Sequence, residues 1–135
     1  MNAVTSQTSI ALATAALMAA IQSELREGES YGGPVFKDGA ITHHLILLPG
    51  DKDDADQATQ IAWATSIGGE LPTIEEYAVL YANCKSQFER DWYWSATQRA
   101  GASGLAWVQL FGDGTQTWHS KSDDYRARAI RRLPI

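Results

Sequence analysis

The sequence predicts an α+β domain, and three observations predict it. An alanine-rich segment near the start has a helical period. Two further helix signals follow in the middle of the chain. From Asp91 onward the pattern turns to short strand-like runs separated by glycine-bearing turns, the mark of an antiparallel sheet.

The first helix is expected over about Ser6 to Glu27. Ile10, Ala13, Leu17, Met18, Ile21 and Leu25 fall mostly three or four residues apart, which places them on one face. Gly28 and the run Tyr31-Gly32-Gly33-Pro34 stop it. Two readings of this stripe stay open: it packs on its own domain, or it pairs with copies of itself or a partner. Ser9 to Ile21 resembles the apolar core of an export signal, but no Lys or Arg precedes it and the first basic residue is Arg26. The same stretch is too short to span a bilayer. A cytoplasmic location without a membrane span is therefore expected. Residues 1–30 read as a helix and linker, and residues 31–135 as the main domain.

A strand pair comes next, Pro34 to Phe36 and Thr42 to Leu48, around Lys37-Asp38-Gly39-Ala40, where Asp-Gly signals a tight hairpin. His43 and His44 are adjacent in the second strand, so they point to opposite faces and are poorly placed to share a metal. The acidic stretch Asp51 to Asp56 fails the calcium-loop spacing, because Ala55, Asp56 and Ala62 fall where a ligand, a glycine and a glutamate are required. It reads instead as the acidic start of a helix running to about Ile67 and stopped by Gly68-Gly69. The following helix opens with a capping box, Thr73 as N-cap and Glu76 three residues on. Tyr77, Leu80, Tyr81, Cys84 and Phe88 then share one face, which makes Cys84 a buried structural thiol.

Strands are expected over Trp92 to Thr97, Ala106 to Phe111, Thr115 to His119 and Tyr125 to Leu133, with Gly112-Asp113-Gly114 as a hairpin loop. Trp92 and Trp94 should share a sheet face.

Composition narrows the function. A chain of 135 residues, 44% hydrophobic and 20% charged, can fold without a metal or disulfide staple. A net charge of −5 disfavours nucleic acid as a partner, which needs a basic face. Cys84 is the only cysteine, so no intrachain disulfide forms, which fits a reducing compartment.

Three stretches in order carry a family likeness. They are Leu71-Pro72-Thr73 with Glu76, then Trp92-Tyr93-Trp94-Ser95-Ala96-Thr97, then Ala106-Trp107 leading through Phe111-Gly112-Asp113-Gly114 to Tyr125-Arg126-Ala127-Arg128-Ala129-Ile130-Arg131. This set resembles the Lcl C-terminal domain family, common in bacteria and prophages, over about Phe36 to Ile135. The resemblance implies a C-type-lectin-like fold, two helices packed on antiparallel strands with the chain ends brought together, and Trp94 and Trp107 in its core. Phage relatives include receptor-binding proteins, which implies adhesion and a virion-associated place. The distantly related formylglycine-generating enzymes need two active cysteines, and this chain has one. Calcium-dependent sugar lectins carry Glu-Pro-Asn or Gln-Pro-Asp, and neither triplet occurs here.

No catalytic residue, metal ligand or cofactor is assigned. His119 with Asp123 or Asp124 has the makings of an acid–base pair but no candidate nucleophile beside it. The candidate ligand-binding residues are Gln109, Gln116, Trp118, His119 and Lys121 around one hairpin, with Arg126 and Arg128. Strand parity puts Arg126, Arg128 and Arg132 on one side and Arg131 on the other, with Asp123, Asp124 and helix carboxylates at hand to neutralise them. The expected function is a non-enzymatic module binding a protein or cell-surface ligand, as an adhesion or tail accessory. The competing function is an intracellular inhibitor that docks on a host protein. The N-terminal helix is the candidate route to a homo-oligomer.

Overall fold

The computed structural model describes residues 3–135, with side chains from residue 6. The arrangement is mixed α+β: an N-terminal helix, two further helices and two sheets.

Helix α1 spans Ala3–Glu24. Strands β1 (Ser30–Lys37) and β2 (Ala40–Leu47) form the expected hairpin. Asp38 and Gly39 both have positive φ, 51° and 82°, as the tightest hairpin turns require. Strand β1 begins earlier than the sequence indicates and takes in Tyr31-Gly32-Gly33-Pro34, with a register shift between Tyr31 and Gly33. The glycines are there because a helix lies flat on them. A Cβ on Gly32 would sit 2.8 Å from Leu80, and one on Gly33 would sit 2.3 Å from Asn83.

The acidic stretch departs from expectation. Lys52–Ala55 is a short strand, β3, and helix α2 (Gln57–Ser66) starts only after it. Asp56 is the N-cap, accepting from the Thr59 amide at 2.8 Å. The strand wins because it has a tertiary partner: Lys52 pairs with Ala127 and Ala55 with Tyr125. Gln60 of α2 fastens it further, donating to the carbonyls of Asp53 and Tyr125 at 2.8 Å each.

Helix α3 (Ile74–Cys84) carries the capping box as read, with both reciprocal bonds formed. A short 3-10 turn, Lys85–Gln87, leads to β4 (Trp92–Gln98), β5 (Leu105–Leu110) and β6 (Gln116–Ser120). The last expected strand is in fact two. Tyr125–Ala127, β7, joins the five-stranded sheet of order β3-β7-β4-β5-β6, and Ile130–Pro134, β8, joins the three-stranded sheet of order β1-β2-β8. The chain crosses between sheets at Arg128-Ala129. The parity argument for the arginines fails there, since a strand alternates faces only while it continues.

Two apolar clusters fill the interior. One lies beneath α3, where Phe88 stacks on Phe111 at 3.9 Å and Tyr77 and Tyr93 pack edge-on around that pair. The other lies beneath α2, around Trp94, Ala106, Val108 and Leu71. Trp92 and Trp94 share the α2 side, both against Tyr125. Trp94 is fully buried, whereas Trp107 is only half-buried.

Helix α1 touches this body only near its base. Ile21 is buried and Met18 and Leu25 are half-buried, while Ile10, Leu12 and Leu17 are exposed. Ile10 and Leu12, about 200° apart around a helix, sit on opposite sides. The single stripe read from sequence is therefore an apolar surface spread around the helix.

Cys84 lies on the buried face of α3 with its thiol 3.7 Å from the Tyr31 carbonyl, and burial pushes its pKa up. A disulfide-exchange reagent should therefore label the native protein far more slowly than the urea-unfolded protein. Equal rates in the two states would show that the thiol is accessible in the fold.

Candidate functional site

The register between β5 and β6 sets which side chains meet. Trp107 pairs with Trp118, Gln109 with Gln116, and Ala106 with His119. Directly opposed residues share a face. Gln109, Gln116, Trp107 and Trp118 therefore lie on the α3 side of the sheet, and His119 lies on the other.

Gln109 is buried, yet its carboxamide is fully engaged. Its Nε2 donates to the Tyr77 carbonyl at 3.4 Å, and its Oε1 accepts from Gln116 Nε2 at 2.7 Å. Gln116 also donates to the Ile74 carbonyl at 3.0 Å. This pair forms one wall of an open cleft of about 510 Å³ between α3 and the β5–β6 hairpin, lined also by Ala78, Tyr81, Asp113 and Gly114. Gly114, at φ 86°, presses on Tyr81; a Cβ there would lie 3.2 Å from the ring. Asp113 braces the loop, accepting from Thr115 N at 2.9 Å and Thr115 Oγ1 at 2.7 Å, and these bonds lower its pKa.

Beyond the carboxamides the same face continues into an aromatic patch. Trp118 is 39% exposed and meets Trp107 edge-on at 5.2 Å. The Arg99 guanidinium lies 3.9 Å from the Trp118 ring centre. Arg99 has no carboxylate within ion-pair distance among the described residues. Lys121, at the far end of the hairpin, donates to Gln98 Oε1 at 2.9 Å.

The structure thus joins Gln109, Gln116 and Trp118 and leaves the other sequence candidates elsewhere. His119 faces Trp92 and the Tyr125 hydroxyl, 3.0 Å from its Nδ1, with Asp123 at 3.7 Å. Arg126 pairs with Asp51 at 2.8 Å and Asp53 at 3.5 Å. Arg128 is buried, donating to the carbonyls of Gln87 and Leu48. The carboxylates that neutralise Arg126, Arg131 and Arg132 are Asp51, Asp53, Glu29, Glu70 and the helix carboxylate Glu76, rather than Asp123 and Asp124. Tyr81, Asp113 and Arg99 complete the cleft and patch and were not legible. Tyr81 reads as part of an apolar stripe, and only the strand register shows that Arg99 reaches Trp118.

A second cluster has the look of chemistry but is closed. Glu76 is buried and receives the Thr73 amide at 2.8 Å, two Arg132 nitrogens at 2.8 Å each and His43 Nε2 at 2.7 Å. Burial alone would raise its pKa, but Arg132, the Thr73 amide and His43 together bring it down from 4.5 to about 2. With every lone-pair direction taken, this carboxylate has no site left for a substrate proton. It is a strut joining α3 to β2 and β8.

No family model and no curated protein matches the chain.

The strut makes stability pH-dependent with a definite sign. A carboxylate whose folded pKa is depressed stabilises the fold above its unfolded pKa, and that contribution is lost as pH falls toward the folded value. Urea unfolding should therefore show a fall between about pH 5 and pH 2, with the Glu76 share of order 3 kcal/mol. Glu76→Gln should be less stable at pH 7 and lose less on acidification. A variant with the same acid slope as the parent would place the titration elsewhere.

Proposed function

We propose that this chain is a non-enzymatic binding module of phage or prophage type, with a C-type-lectin-like fold, that takes a hydroxyl- or amide-rich cell-surface ligand on the cleft between α3 and the β5–β6 hairpin. The observation that carries the reading is the exposed Gln116 carboxamide, oriented by buried Gln109 and set between Tyr81 and the Trp118–Arg99 stack. Both Gln116 amide hydrogens are used within the protein, which leaves its Oε1 to accept from a ligand hydroxyl or amide, and a carboxamide does not titrate, so it suits recognition rather than proton transfer. Aromatic rings beside them supply apolar area at small entropic cost. The one carboxylate in the cleft, Asp113, is already spent on its own loop.

Two features support the lectin-like reading of the fold. Strands β1 and β8 flank β2, which draws the beginning and end of the 31–135 unit into one sheet. Helices α2 and α3 then pack on largely antiparallel strands. The phage attribution rests on the motif resemblance alone.

The test is direct. Fluorescently labelled full-length protein is titrated onto bacterial cells and onto envelope polysaccharide purified from them. Saturable binding is expected to both. Trp118→Ala and Gln116→Ala should each weaken it about tenfold, a loss of ~1.4 kcal/mol, and because Gln116 also bonds buried Gln109 and Trp118 packs on Trp107, each variant is compared with the parent at a temperature where melting curves show it folded. Undiminished binding by both variants would remove the cleft from the account. Binding to a cytosolic host protein with none to the envelope would favour the inhibitor reading instead.

A further inference from the structure

We propose, on the reading that the cleft is the ligand site, that its ligand carries an oxyanion, a carboxylate or a phosphate on a sugar or polyol, and that Arg99 is the residue that selects for it. Arg99 directly follows β4, and its backbone is fixed in the turn that leads to β5. Its amide donates to the Leu105 carbonyl at 2.9 Å, and its carbonyl accepts from the Ala102 amide at 3.1 Å. Gly101, at φ 76°, lets that turn close. The Arg99 side chain is half-buried, and its guanidinium lies over the exposed Trp118 ring.

A guanidinium above a ring is held through its charge, and none of its five N–H donors is spent in that contact. Among the described residues those donors meet no carboxylate and no hydrogen-bond acceptor. The C-terminal arginines differ. Arg126, Arg131 and Arg132 each pair with a carboxylate, and Arg128 bonds two carbonyls. The chain holds 16 acidic side chains against 11 of Lys and Arg, so a shortage of carboxylates does not leave Arg99 free. Its fork matches the paired oxygens of a carboxylate or a phosphate. Because the ring and the turn already hold it, little ordering is left for binding to cost.

Strand geometry sets the ligand's second contact. Gln116 and Trp118 are two residues apart on one face of β6, so their Cα atoms stand about 7 Å apart. A ligand that reaches both the fork over Trp118 and the free Gln116 Oε1 carries an oxyanion and, about one sugar ring away, a hydroxyl or amide N–H. A neutral sugar can use only the second contact. Asp113, at the other end of the cleft, opposes an anion little. Its carboxylate is tied to Thr115, three residues or about 10 Å along the chain from Trp118, which is one screening length at ordinary salt. Nucleic acid also offers phosphates, but one guanidinium on a chain of net charge −5 does not suit a polyanion that needs a basic face.

Isotope-labelled full-length protein titrated with glucuronate, glycerol phosphate, glucose and glycerol tests the assignment without the cell envelope. The Trp118 indole N–H signal, identified by its loss in Trp118→Ala, is followed by NMR. At least one acid is expected to move it saturably at millimolar concentration, with its neutral parent at least tenfold weaker; which acid acts tells carboxylate from phosphate. Arg99→Gln should bring that acid down to the level of its neutral parent. Arg99→Lys, which keeps the charge and loses the fork, should fall between. The Arg99 side chain makes no hydrogen bond among the described residues, so both variants should fold, and the acid-to-neutral ratio is read within each folded protein. A signal unmoved by both acids, an equal response to the neutral parents, or an unchanged ratio in Arg99→Gln overturns the proposal. Acid binding that Arg99→Gln abolishes, in a protein that does not bind the envelope, supports the role of Arg99 and sinks the adhesion reading alone.

Discussion

The guanidinium of Arg128 is the interaction on which the two-sheet arrangement depends. It sits where the chain leaves β7 for β8, and it is buried without a carboxylate partner. Its two terminal nitrogens bond the carbonyls of Leu48, just past the end of β2, and Gln87, at the end of the 3-10 turn. It also lies 5.1 Å from the centre of the Phe88 ring, at the edge of the larger core cluster. Desolvation lowers its pKa, though Asp51 nearby acts against that. A buried charge is costly, and a fold retains one only where removal would cost more. Without Arg128 the buried Leu48 carbonyl and the part-buried Gln87 carbonyl, at the junction of both sheets, would lose their donor. A lysine could not reach both with one fixed geometry.

The other arginines extend the same logic outward. Arg126 ties β7 to Asp51, whose second oxygen accepts the Tyr93 hydroxyl at 2.5 Å. Arg131 ties β8 to the base of α1, and Arg132 ties it to α3 through Glu76. A sequence run that looks like a basic patch is therefore distributed in four directions. Each of the other three meets a carboxylate contributed by a distant stretch of chain. This is why an acidic protein can hold four arginines within seven residues and still present no basic face there.

Local chemistry was legible wherever it was self-contained. The Asp38-Gly39 turn, the Thr73–Glu76 capping box, the glycine stop after Ile67 and the burial of Cys84 all follow from a few neighbouring residues. What was not legible depends on partners far along the chain. Asp53 and Asp54 belong to a strand only because β7 is there to receive it. The break at Arg128 comes from carbonyls forty and eighty residues away in sequence. At the cleft, alternation puts adjacent Trp118 and His119 on opposite faces, so they could not both line it. It could not say that the Gln109–Gln116 side would meet Tyr81 of α3, because that is a fact about which face the helix covers. Arg126 and Arg128 read as ligand-binding for the same reason: a lone basic run does not reveal its internal acceptors.

The energetics of the cleft follow from how few hydrogen-bonding groups it leaves free. An open site built from one exposed carboxamide and a few rings can offer few hydrogen bonds, each worth about 1 kcal/mol net against water. Such a site alone binds weakly. Its carboxamides are held in place by Tyr77 and Ile74 carbonyls, which limits the ordering cost but does not add contacts.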